Sequence, residues 1–425
     1  MGAVLLKNIT VSDSQKDILI DKGLFRRIEP AGSCATWELA GDVEIMDCTG
    51  KVAVPGLINM HTHASMSMMR GVGEDMSFFE WLDKIWVYEE HLDEKYVRCG
   101  SRIAALEMIR TGTTTFNDQY WFPDETRKAS EELGIRSAIS YVLLDKMDPE
   151  TAARQRDECE RMYEESLKWS GLTKFTVSCH AVYTVSEETL VWARDFTARH
   201  GLKLHIHLNE TRQEVEDCKA AHSGLTPVEY VDSLGMLNSD MIAAHTLWLS
   251  DHDVELLGKN GVNCVHNINS NLKLASGYRF RYNELRDAGA NICFGTDGCA
   301  SSNNLDLLEA MKTAAITQKS WREDPTALPL DEIIACATTN GAKALGINAG
   351  RIETGAAADL CIVDTDNTFF LSPAPFLANF IYSAHSDSID SVICDGRFVM
   401  RHHEINGEKA ILREAKGYLN QIIKK

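Results

Sequence analysis

Eight short apolar runs rich in β-branched residues recur along the middle of the chain, and amphipathic segments separate them. Such alternation is typical of parallel β/α units, in which each helix covers one face of the sheet. The predicted strands are 52–59, 113–117, 136–143, 174–179, 202–207, 241–245, 262–266 and 291–295. The predicted helices are 95–110, 125–133, 149–169, 186–200, 226–234, 250–259 and 282–288. Eight units over roughly 250 to 300 residues predict an α/β fold of the (β/α)8, TIM-like barrel type.

An open, doubly wound sheet is the alternative arrangement of the same elements. Dinucleotide-binding sheets of that kind carry a G-x-G-x-x-G motif after an early strand. No such motif follows the early predicted strands of this chain. The sequence therefore favours the closed barrel.

The two ends of the chain carry short alternating runs instead of β/α units. Near the C-terminus, Asp395-Gly396 separates two β-rich runs, which is a hairpin signal. We predict a small β-sandwich domain formed from residues 1–53 and 348–425, the latter including a terminal helix. The barrel, residues 54–347, is inserted between its two parts.

Charge and hydropathy restrict the partners of the chain. Lys and Arg number 43 and Asp and Glu 62, so the formal net charge is −19 with histidine neutral. A surface this acidic repels phosphate backbones and anionic lipid, so nucleic acid is not an expected partner. No apolar run reaches the roughly 18 residues of a membrane helix. The first residues show no basic leader or cleavage site, so we expect no secretion signal.

The 12 cysteines are scattered along the chain, and no two of them form a C-x-x-C pair. In a chain of this length the pattern predicts reduced core thiols in a cytoplasmic protein. It also excludes the zinc deaminases that carry a P-C-x-x-C motif.

Metal-ligand residue types stand where the predicted strands end, which is where barrel enzymes place their chemistry. His61 and His63 close strand one, and residues two apart on a strand point to the same side. His207 ends strand five, and Asp297 follows strand eight. One H-x-H pair among 14 histidines is by itself a weak signal of a metal site. The four residues together are a stronger signal, because ligand-type residues are improbable by accident at the ends of so many predicted strands. His205, deeper on strand five, is more typical of a hydrogen-bonded core histidine.

Three imidazoles and one carboxylate predict a site for one divalent ion, zinc in the first place, with iron or manganese as alternatives. Such an ion would lower the pKa of a water to about 7. A second ion in this kind of barrel generally requires a bridging anionic ligand, usually a carbamylated lysine, where strand four ends. Cys179 and His180 stand there instead, so we predict a single ion.

Several motifs of the chain resemble those of the amidohydrolase superfamily. The resemblance is closer to the branch that holds S-adenosylhomocysteine/5′-methylthioadenosine deaminases and triazine chlorohydrolases, and it covers nearly the whole chain. The segments that carry it are 55–63, 69–71, 207–211, 266–267, 270–274, 295–298, 350–353 and 358–360.

The resemblance implies roles for three polar residues. Glu210 would protonate the purine ring nitrogen while water attacks the amino-bearing carbon, and Asp297 would accept the proton of that water. His245 would hydrogen-bond the attacking oxygen as charge builds on it. The implied function is a metal-dependent hydrolytic deaminase of a 6-aminopurine nucleoside, which releases ammonia. The alternative for Glu210 is a carboxylate at the start of a surface helix.

The resemblance also implies substrate-binding residues. Glu89 matches the carboxylate that accepts both ribose hydroxyls, although a shift of one residue would assign this role to Glu90. Trp81 matches an aromatic wall of the pocket, with core packing as its alternative. His180 matches a substrate-contacting imidazole, and Ser301 either contacts the substrate or caps a helix.

One position departs from the family pattern. Relatives that accept S-adenosylhomocysteine carry an arginine on strand three, where this chain has Tyr141. A tyrosine supplies one hydrogen bond but no positive charge. Arg154 or Arg156 could compensate, and Gln119 is a further specificity candidate. We therefore expect methylthioadenosine, adenosine or 5′-deoxyadenosine rather than the homocysteine derivative.

Three other functions stay open at this point. A triazine chlorohydrolase has less need of the acid–base pair of Glu210 and Asp297 than a deaminase. A deaminase of a free heterocycle (guanine, a pterin or cytosine) would give Glu89 no ribose to hold. A metal-stabilised scaffold without activity is the third alternative. The expected partners are a small purine nucleoside and, because such barrels commonly associate, further copies of the chain.

Overall fold

The computed structural model describes residues 2–38 and 41–422, with side chains as far as residue 420. Within these residues the strands form two sheets, one from the ends of the chain and one from its middle. The strands of the end sheet that precede the barrel are β1 (Ala3–Val11), β2 (Ser14–Asp21), β3 (Leu24–Pro30), β4 (Val43–Asp47) and β5 (Lys51–Pro55).

The middle of the chain forms a parallel sheet whose strands follow one another in sequence order. They are β6 (Leu57–Thr62), β7 (Thr113–Gln119), β8 (Arg136–Leu143), β9 (Thr173–Ala181), β10 (Leu204–Leu208), β11 (Met241–His245), β12 (Asn263–His266) and β13 (Asn291–Phe294). The last strand returns to the first, because the backbone N–H of Asp297 donates to the carbonyl of His61 (2.9 Å). The side chains of Asn59 and Thr296 also meet (2.7 Å). The predicted (β/α)8 barrel is confirmed.

The end sheet is completed after the barrel by β14 (Leu360–Asp364), β15 (Ile389–Cys394) and β16 (Arg397–Met400). Its strand order is β16-β15-β14-β5-β1-β2-β3, with β4 paired to β1. Because β14 pairs with β5, the two ends of the chain share one sheet. Apolar residues of both ends, among them Leu6, Phe25 and Leu360, form a buried core. The predicted second sheet from both chain ends is confirmed.

Helices cover the barrel strands and close the chain. They are α1 (Phe78–Glu89), α2 (Glu94–Arg110), α3 (Pro123–Leu133), α4 (Pro149–Ser166), α5 (Glu187–His200), α6 (Arg212–Ala221), α7 (Pro227–Ser233), α8 (Asp251–Lys259), α9 (Ile268–Lys273), α10 (Tyr282–Ala288), α11 (Leu307–Arg322), α12 (Leu330–Ala337), α13 (Thr339–Leu345), α14 (Phe376–Tyr382) and α15 (Glu408–Ile422). All seven predicted barrel helices are present, with ends within three residues of the prediction. The sequence did not predict α1, α6, α9 or α11 to α14.

The predicted first strand, 52–59, is wrong as a single element. Its residues belong to two strands, β5 in the end sheet and β6 in the barrel, which Gly56 separates. A side chain at Gly56 would collide with Thr114, since a Cβ there would lie 2.2 Å from its hydroxyl oxygen. The apolar run is continuous because both strands are buried, so hydropathy does not reveal where the chain changes sheets. The chain passes from the end sheet to the barrel at Gly56, three residues after the predicted domain boundary at 53/54.

An apolar cluster fills part of the barrel interior away from the carboxyl ends of its strands. Ile58, Met60, Ile242 and Val265 pack there against residues of α13. All 12 cysteines are free thiols and 11 are buried, as the sequence predicts. None of the described helices is both long and apolar enough to span a membrane.

Candidate active site

The residues that the sequence predicts as metal ligands converge where their strands end. Nε2 of His63 lies 3.3 Å from Nε2 of His207. Oδ1 of Asp297 lies 3.2 Å from Nε2 of His63 and 3.5 Å from Nε2 of His61. Possible ligand atoms of His61, His63 and Asp297 all lie within 4.8 Å of one another, and so do those of His61, His207 and His245.

Hydrogen bonds on the outer ring nitrogens orient two of these imidazoles. Nδ1 of His63 donates to the backbone carbonyl of Gln119 (2.6 Å), and Nδ1 of His207 donates to that of His180 (2.8 Å). A neutral ring that carries its hydrogen on Nδ1 presents a lone pair at Nε2. The Nε2 lone pairs of His63 and His207 therefore face each other.

The third imidazole, His61, is fully buried, and its Nε2 has no hydrogen-bond partner among the described residues. Its Nδ1 lies 3.0 Å from Nε2 of His205, whose Nδ1 lies 3.1 Å from the amide nitrogen of Asn117. His205 is thus a buried support of His61, in line with the expected core histidine.

This donor set fits a divalent cation. Nitrogen ligands of a tetrahedral zinc site lie about 3.3 Å apart, given Zn–N distances of 2.0–2.1 Å, and His63 and His207 show that spacing. A buried nitrogen without a partner, such as Nε2 of His61, is unfavourable, and so are two lone pairs that face each other, as those of His63 and His207 do. A cation bound by these nitrogens would remove both costs. The residues present therefore match the predicted metal site.

Asp297 is held as an anion. Burial alone would raise the pKa of this carboxyl, but His61 and His63 hold it well below its usual value. Against the effect of burial, Asp297 in turn raises the pKa of His63 to about 9, so a metal ion bound here would take the place of a proton on Nε2 of His63. The hydroxyl of Ser270 donates to Oδ2 of Asp297 (2.7 Å). Asp297 adopts a left-handed backbone conformation (φ +64°), a strained state that is common at functional sites.

Glu210 and His245 lie beside this cluster. Glu210 follows β10 and is 7% exposed, with Oε2 3.6 Å from Nε2 of His245. Burial, and then repulsion from Asp297 and Glu214, raise the pKa of Glu210 well above its usual value. Burial lowers the pKa of His245 to about 3. Burial therefore favours the protonated form of Glu210 and the neutral form of the His245 imidazole.

Glu214, which the sequence did not lead us to predict, holds the backbone at Glu210 in place. The buried carboxylate of Glu214 accepts hydrogen bonds from the backbone N–H groups of Asn209 (3.0 Å) and Glu210 (2.7 Å). Burial raises the pKa of Glu214 to about 7. Thr211 and Glu214 form a capping box at the start of α6, and the T-x-x-E spacing is a signal that could have indicated it.

Glu89 is the last residue of α1, and its side chain lies at the inner cavity, the pocket next to the metal-ligand candidates. Trp121 donates to Oε2 of Glu89 through its indole N–H (3.0 Å). Glu90 is exposed and lines only the wider space outside. The structure thus brings Glu89, rather than its neighbour, to the inner cavity.

His180 and Trp81 also line the inner cavity. Nδ1 of His180 pairs with the hydroxyl of Thr184 (2.8 Å), and burial lowers the pKa of His180 to about 3. Trp81 is 7% exposed, and its indole N–H donates to the carbonyl of Ala300 (3.2 Å). Trp81 therefore combines the two alternatives, since it packs in the core and presents part of its ring to the cavity.

The structure does not bring the other two predicted substrate contacts to the inner cavity. Ser301 is 1% exposed, and its hydroxyl donates to the carbonyl of Gly298 (3.0 Å), so it supports the loop after β13. The hydroxyl of Tyr141 donates to Oε2 of Glu158 (2.7 Å), and Tyr141 lines the outer cavity, a space of about 760 Å³ beyond Glu89.

Apolar and aromatic side chains form most of the remaining wall of the inner cavity. They are Met66, Phe78, Leu82, Ile85, Trp86, Tyr120, Trp121, Val142, Tyr183 and Leu274. A flat aromatic ring placed among them would meet polar side chains at the metal-ligand candidates, at Glu210 and Glu89, and at Gln119 and His180. The sequence gives no signal for these walls because they come from six separate loops and elements.

The chain matches known proteins over its whole length. The model of the Amidohydrolase family matches residues 52–399. A 5′-deoxyadenosine deaminase of Methanoregula boonei is 42% identical, over 100% of this chain and 96% of the relative. A 5-methylthioadenosine/S-adenosylhomocysteine deaminase of Thermococcus sibiricus is 41% identical over 84% of each chain.

A solved structure agrees with these relatives. The crystal structure of an adenosine deaminase from Xanthomonas campestris with bound zinc has a TM-score of 0.90 and 29% identity to this chain. The match covers 100% of this chain and 98% of that one. The family model, the relatives and the barrel agree, and the chain belongs to the amidohydrolase family.

Proposed function

We propose that this chain is a metal-dependent hydrolase that deaminates a 6-aminopurine nucleoside at C6 and releases ammonia. The observation that carries the proposal is the position of Glu210, a buried carboxyl whose Oε2 lies 3.6 Å from Nε2 of His245 and whose burial favours the protonated form. The removal of an amine requires such an acid, because both the ring nitrogen and the leaving group must gain protons. The names of the relatives agree with this activity.

One divalent ion would be held by His61, His63, His207 and Asp297. Zinc is the first candidate for this ion, and iron and manganese are the alternatives. When bound, the ion acts as a Lewis acid and lowers the pKa of water to about 7. The neighbouring position at the end of β9 carries His180, which already pairs with Thr184 (2.8 Å), so we propose a single ion.

The side chains divide the remaining chemistry between them. Glu210 donates its proton to the ring nitrogen next to C6, which makes that carbon more electrophilic. Asp297, an anion at neutral pH, accepts the proton of the attacking water. His245 donates a hydrogen bond to the oxygen as negative charge develops on it. The amino group then takes up the proton held by Asp297 and leaves as ammonia when the C6–N bond breaks, and the new C6 hydroxyl returns a proton to Glu210 as the carbonyl forms.

The metal-loaded protein can be tested directly for ammonia release. Suitable substrates are adenosine, 5′-deoxyadenosine, methylthioadenosine, S-adenosylhomocysteine, guanine and a chlorotriazine. Ammonia from the adenosine derivatives is the expected result. Ammonia from guanine alone, or chloride from the triazine alone, would contradict the proposal in favour of the two alternative functions.

Glu89 is proposed to accept hydrogen bonds from both ribose hydroxyls. We expect Glu89→Gln to lower kcat/KM for adenosine roughly ten- to hundredfold, because hydrogen bonds to a charged group contribute about 1.5–3 kcal/mol. Steady-state assays would measure this effect. Glu90→Gln is the matched control and should keep kcat/KM within twofold. Unchanged kcat/KM in Glu89→Gln would contradict a role in ribose binding.

The outer cavity is proposed to receive the 5′ substituent of the nucleoside. Tyr141 is engaged with Glu158 there, and Arg156 pairs with Glu188 (2.9 Å). Arg154 lines the cavity and, in the described part of the chain, has no carboxylate partner. Its guanidinium donates only to the hydroxyl of Thr151 (3.4 Å) in the described residues. A guanidinium without a carboxylate partner can bind a carboxylate at two points, so Arg154 is the candidate to bind an amino-acid tail.

Arg154→Leu should therefore affect substrates unequally. We expect kcat/KM to fall about tenfold for S-adenosylhomocysteine, because a charge-assisted hydrogen bond is lost, and to stay within twofold for methylthioadenosine. Parallel assays with both nucleosides measure the ratio. Arg161→Leu, which removes an arginine of the same cavity that pairs with Glu165, is the control. An equal loss for both nucleosides would contradict this role of Arg154.

Two further proposals concern the setting of the enzyme. The first is a cytoplasmic location, because all 12 of its cysteines are free thiols, as is typical of that compartment. The enzyme is also proposed to form a homo-oligomer, which light scattering of the purified chain would test.

A further inference from the structure

Asn271 contacts the imidazole of His245 on the side away from the cavity. It lies on the short helix α9 and is fully buried. Its amide nitrogen Nδ2 is 2.9 Å from Nδ1 of His245, while the corresponding atom of Asn267 is farther away, at 3.5 Å. Asn271 is therefore the main partner of that ring nitrogen.

The orientation of the Asn271 amide is set by a second neighbour. Nδ2 also donates to the hydroxyl oxygen of Ser276 (3.1 Å), and this hydroxyl donates to the backbone carbonyl of Asn271 (3.5 Å). The backbone N–H of Ser276 donates to the same carbonyl (3.0 Å). Both hydrogens of the amide group are thus used, one on Ser276 and one on His245.

An amide nitrogen can only donate. With the amide in this orientation, Nδ1 of His245 accepts, since a hydrogen on Nδ1 would point at the hydrogens of the amide. The ring hydrogen is left on Nε2, which faces Oε2 of Glu210 (3.6 Å) and Oδ2 of Asp297 (4.0 Å). His245 consequently presents a donor, and no lone pair, to the cavity.

The imidazoles of the site differ in the partner of their outer nitrogen. His63 and His207 face backbone carbonyls, which accept, so their Nε2 atoms are free to bind a cation. His61 faces the imidazole of His205, whose own Nδ1 lies 3.1 Å from the amide nitrogen of Asn117. Of the four imidazoles His61, His63, His207 and His245, it is His245 whose outer nitrogen lies directly against an amide nitrogen within the described residues.

We propose that Asn271 is a positioning residue that fixes His245 in the Nε2–H tautomer. His245 is thereby kept as a hydrogen-bond donor to the reacting oxygen, and it is prevented from becoming a further imidazole ligand of the metal. The catalytic consequence depends on the proposed deaminase function, whereas the tautomer does not.

The tautomer can be measured in the zinc-loaded enzyme by ¹⁵N NMR of histidine-labelled protein. The signals of His245 are identified by their loss in His245→Gln. We expect the wild-type spectrum to show an unprotonated Nδ1 and a protonated Nε2. In Asn271→Leu, which removes the donor at similar volume, we expect both signals to move toward the other tautomer.

Kinetics supply the second measurement. We expect Asn271→Leu to lower kcat between about tenfold and hundredfold, less than the roughly 10²- to 10³-fold loss when such a donor is removed outright, while KM changes less than threefold. Asn269→Leu, the same change on the outer side of α9, is the control for both measurements.

Two results would overturn the proposal. One is a wild-type spectrum with the hydrogen of His245 on Nδ1, which is informative even if the variant does not fold. The other is a His245 spectrum that stays the same in Asn271→Leu. Absence of ammonia release from every nucleoside would refute the deaminase function instead, and it would leave the NMR result interpretable.

Discussion

Glu210→Gln is expected to lower kcat for a nucleoside by about 10³-fold, within the range for the loss of a general acid. Burial and the charges of Asp297 and Glu214 raise the pKa of this carboxyl well above its usual value, which favours its protonated form. A glutamine of the same shape keeps the hydrogen bond but cannot release a proton to the ring nitrogen. Since Glu210 is not among the metal-ligand candidates, the metal content should not change.

The measurement pairs single-turnover ammonia release with metal analysis. Glu216→Gln is the matched control, because Glu216 lies on the solvent side of α6 and pairs only with Lys219 (3.3 Å) in the described residues. It should keep kcat within twofold. A Glu210→Gln enzyme that retains its metal and more than a tenth of its kcat would show that another group supplies the proton, and would contradict the proposed role.

The barrel and the metal-ligand candidates could be predicted from the sequence because each depends on local order along the chain. His61, His63, His207 and Asp297 stand directly at strand ends, and parallel strands bring their carboxyl ends to one rim. Knowledge of the strands was therefore sufficient to expect that these four side chains converge.

Other features could not be predicted, because their partners are distant in sequence. Asn271 is 26 positions from His245, and only the folded barrel brings them together. Tyr141 matched a substrate-binding position by alignment, but Glu158 occupies its hydroxyl. For Ser301, the loop after β13 turns the hydroxyl toward its own backbone.

The second large effect concerns the metal. We expect His207→Ala to lose most of its bound metal and to lower kcat by about 10⁴-fold, because the chemistry depends on water whose pKa the ion lowers to about 7. The ring of His207 is held by the carbonyl of His180, and its Nε2 lies 3.3 Å from that of His63, so the site loses a central donor. Metal analysis and ammonia release measure the two losses. His252→Ala, on an imidazole 59% exposed, is the control and should change neither.

Thermal unfolding separates loss of metal from loss of fold. A ligand that binds only the folded chain stabilises it by about 2.7 kcal/mol at 100 times its dissociation constant. A chelator should therefore lower the Tm of the wild-type enzyme and of His252→Ala. It should leave the Tm of His207→Ala unchanged, because that variant has no ion to lose. If the chelator lowers the Tm of His207→Ala as much as that of the wild type, the ion is held elsewhere, and the ligand set proposed for this barrel is wrong.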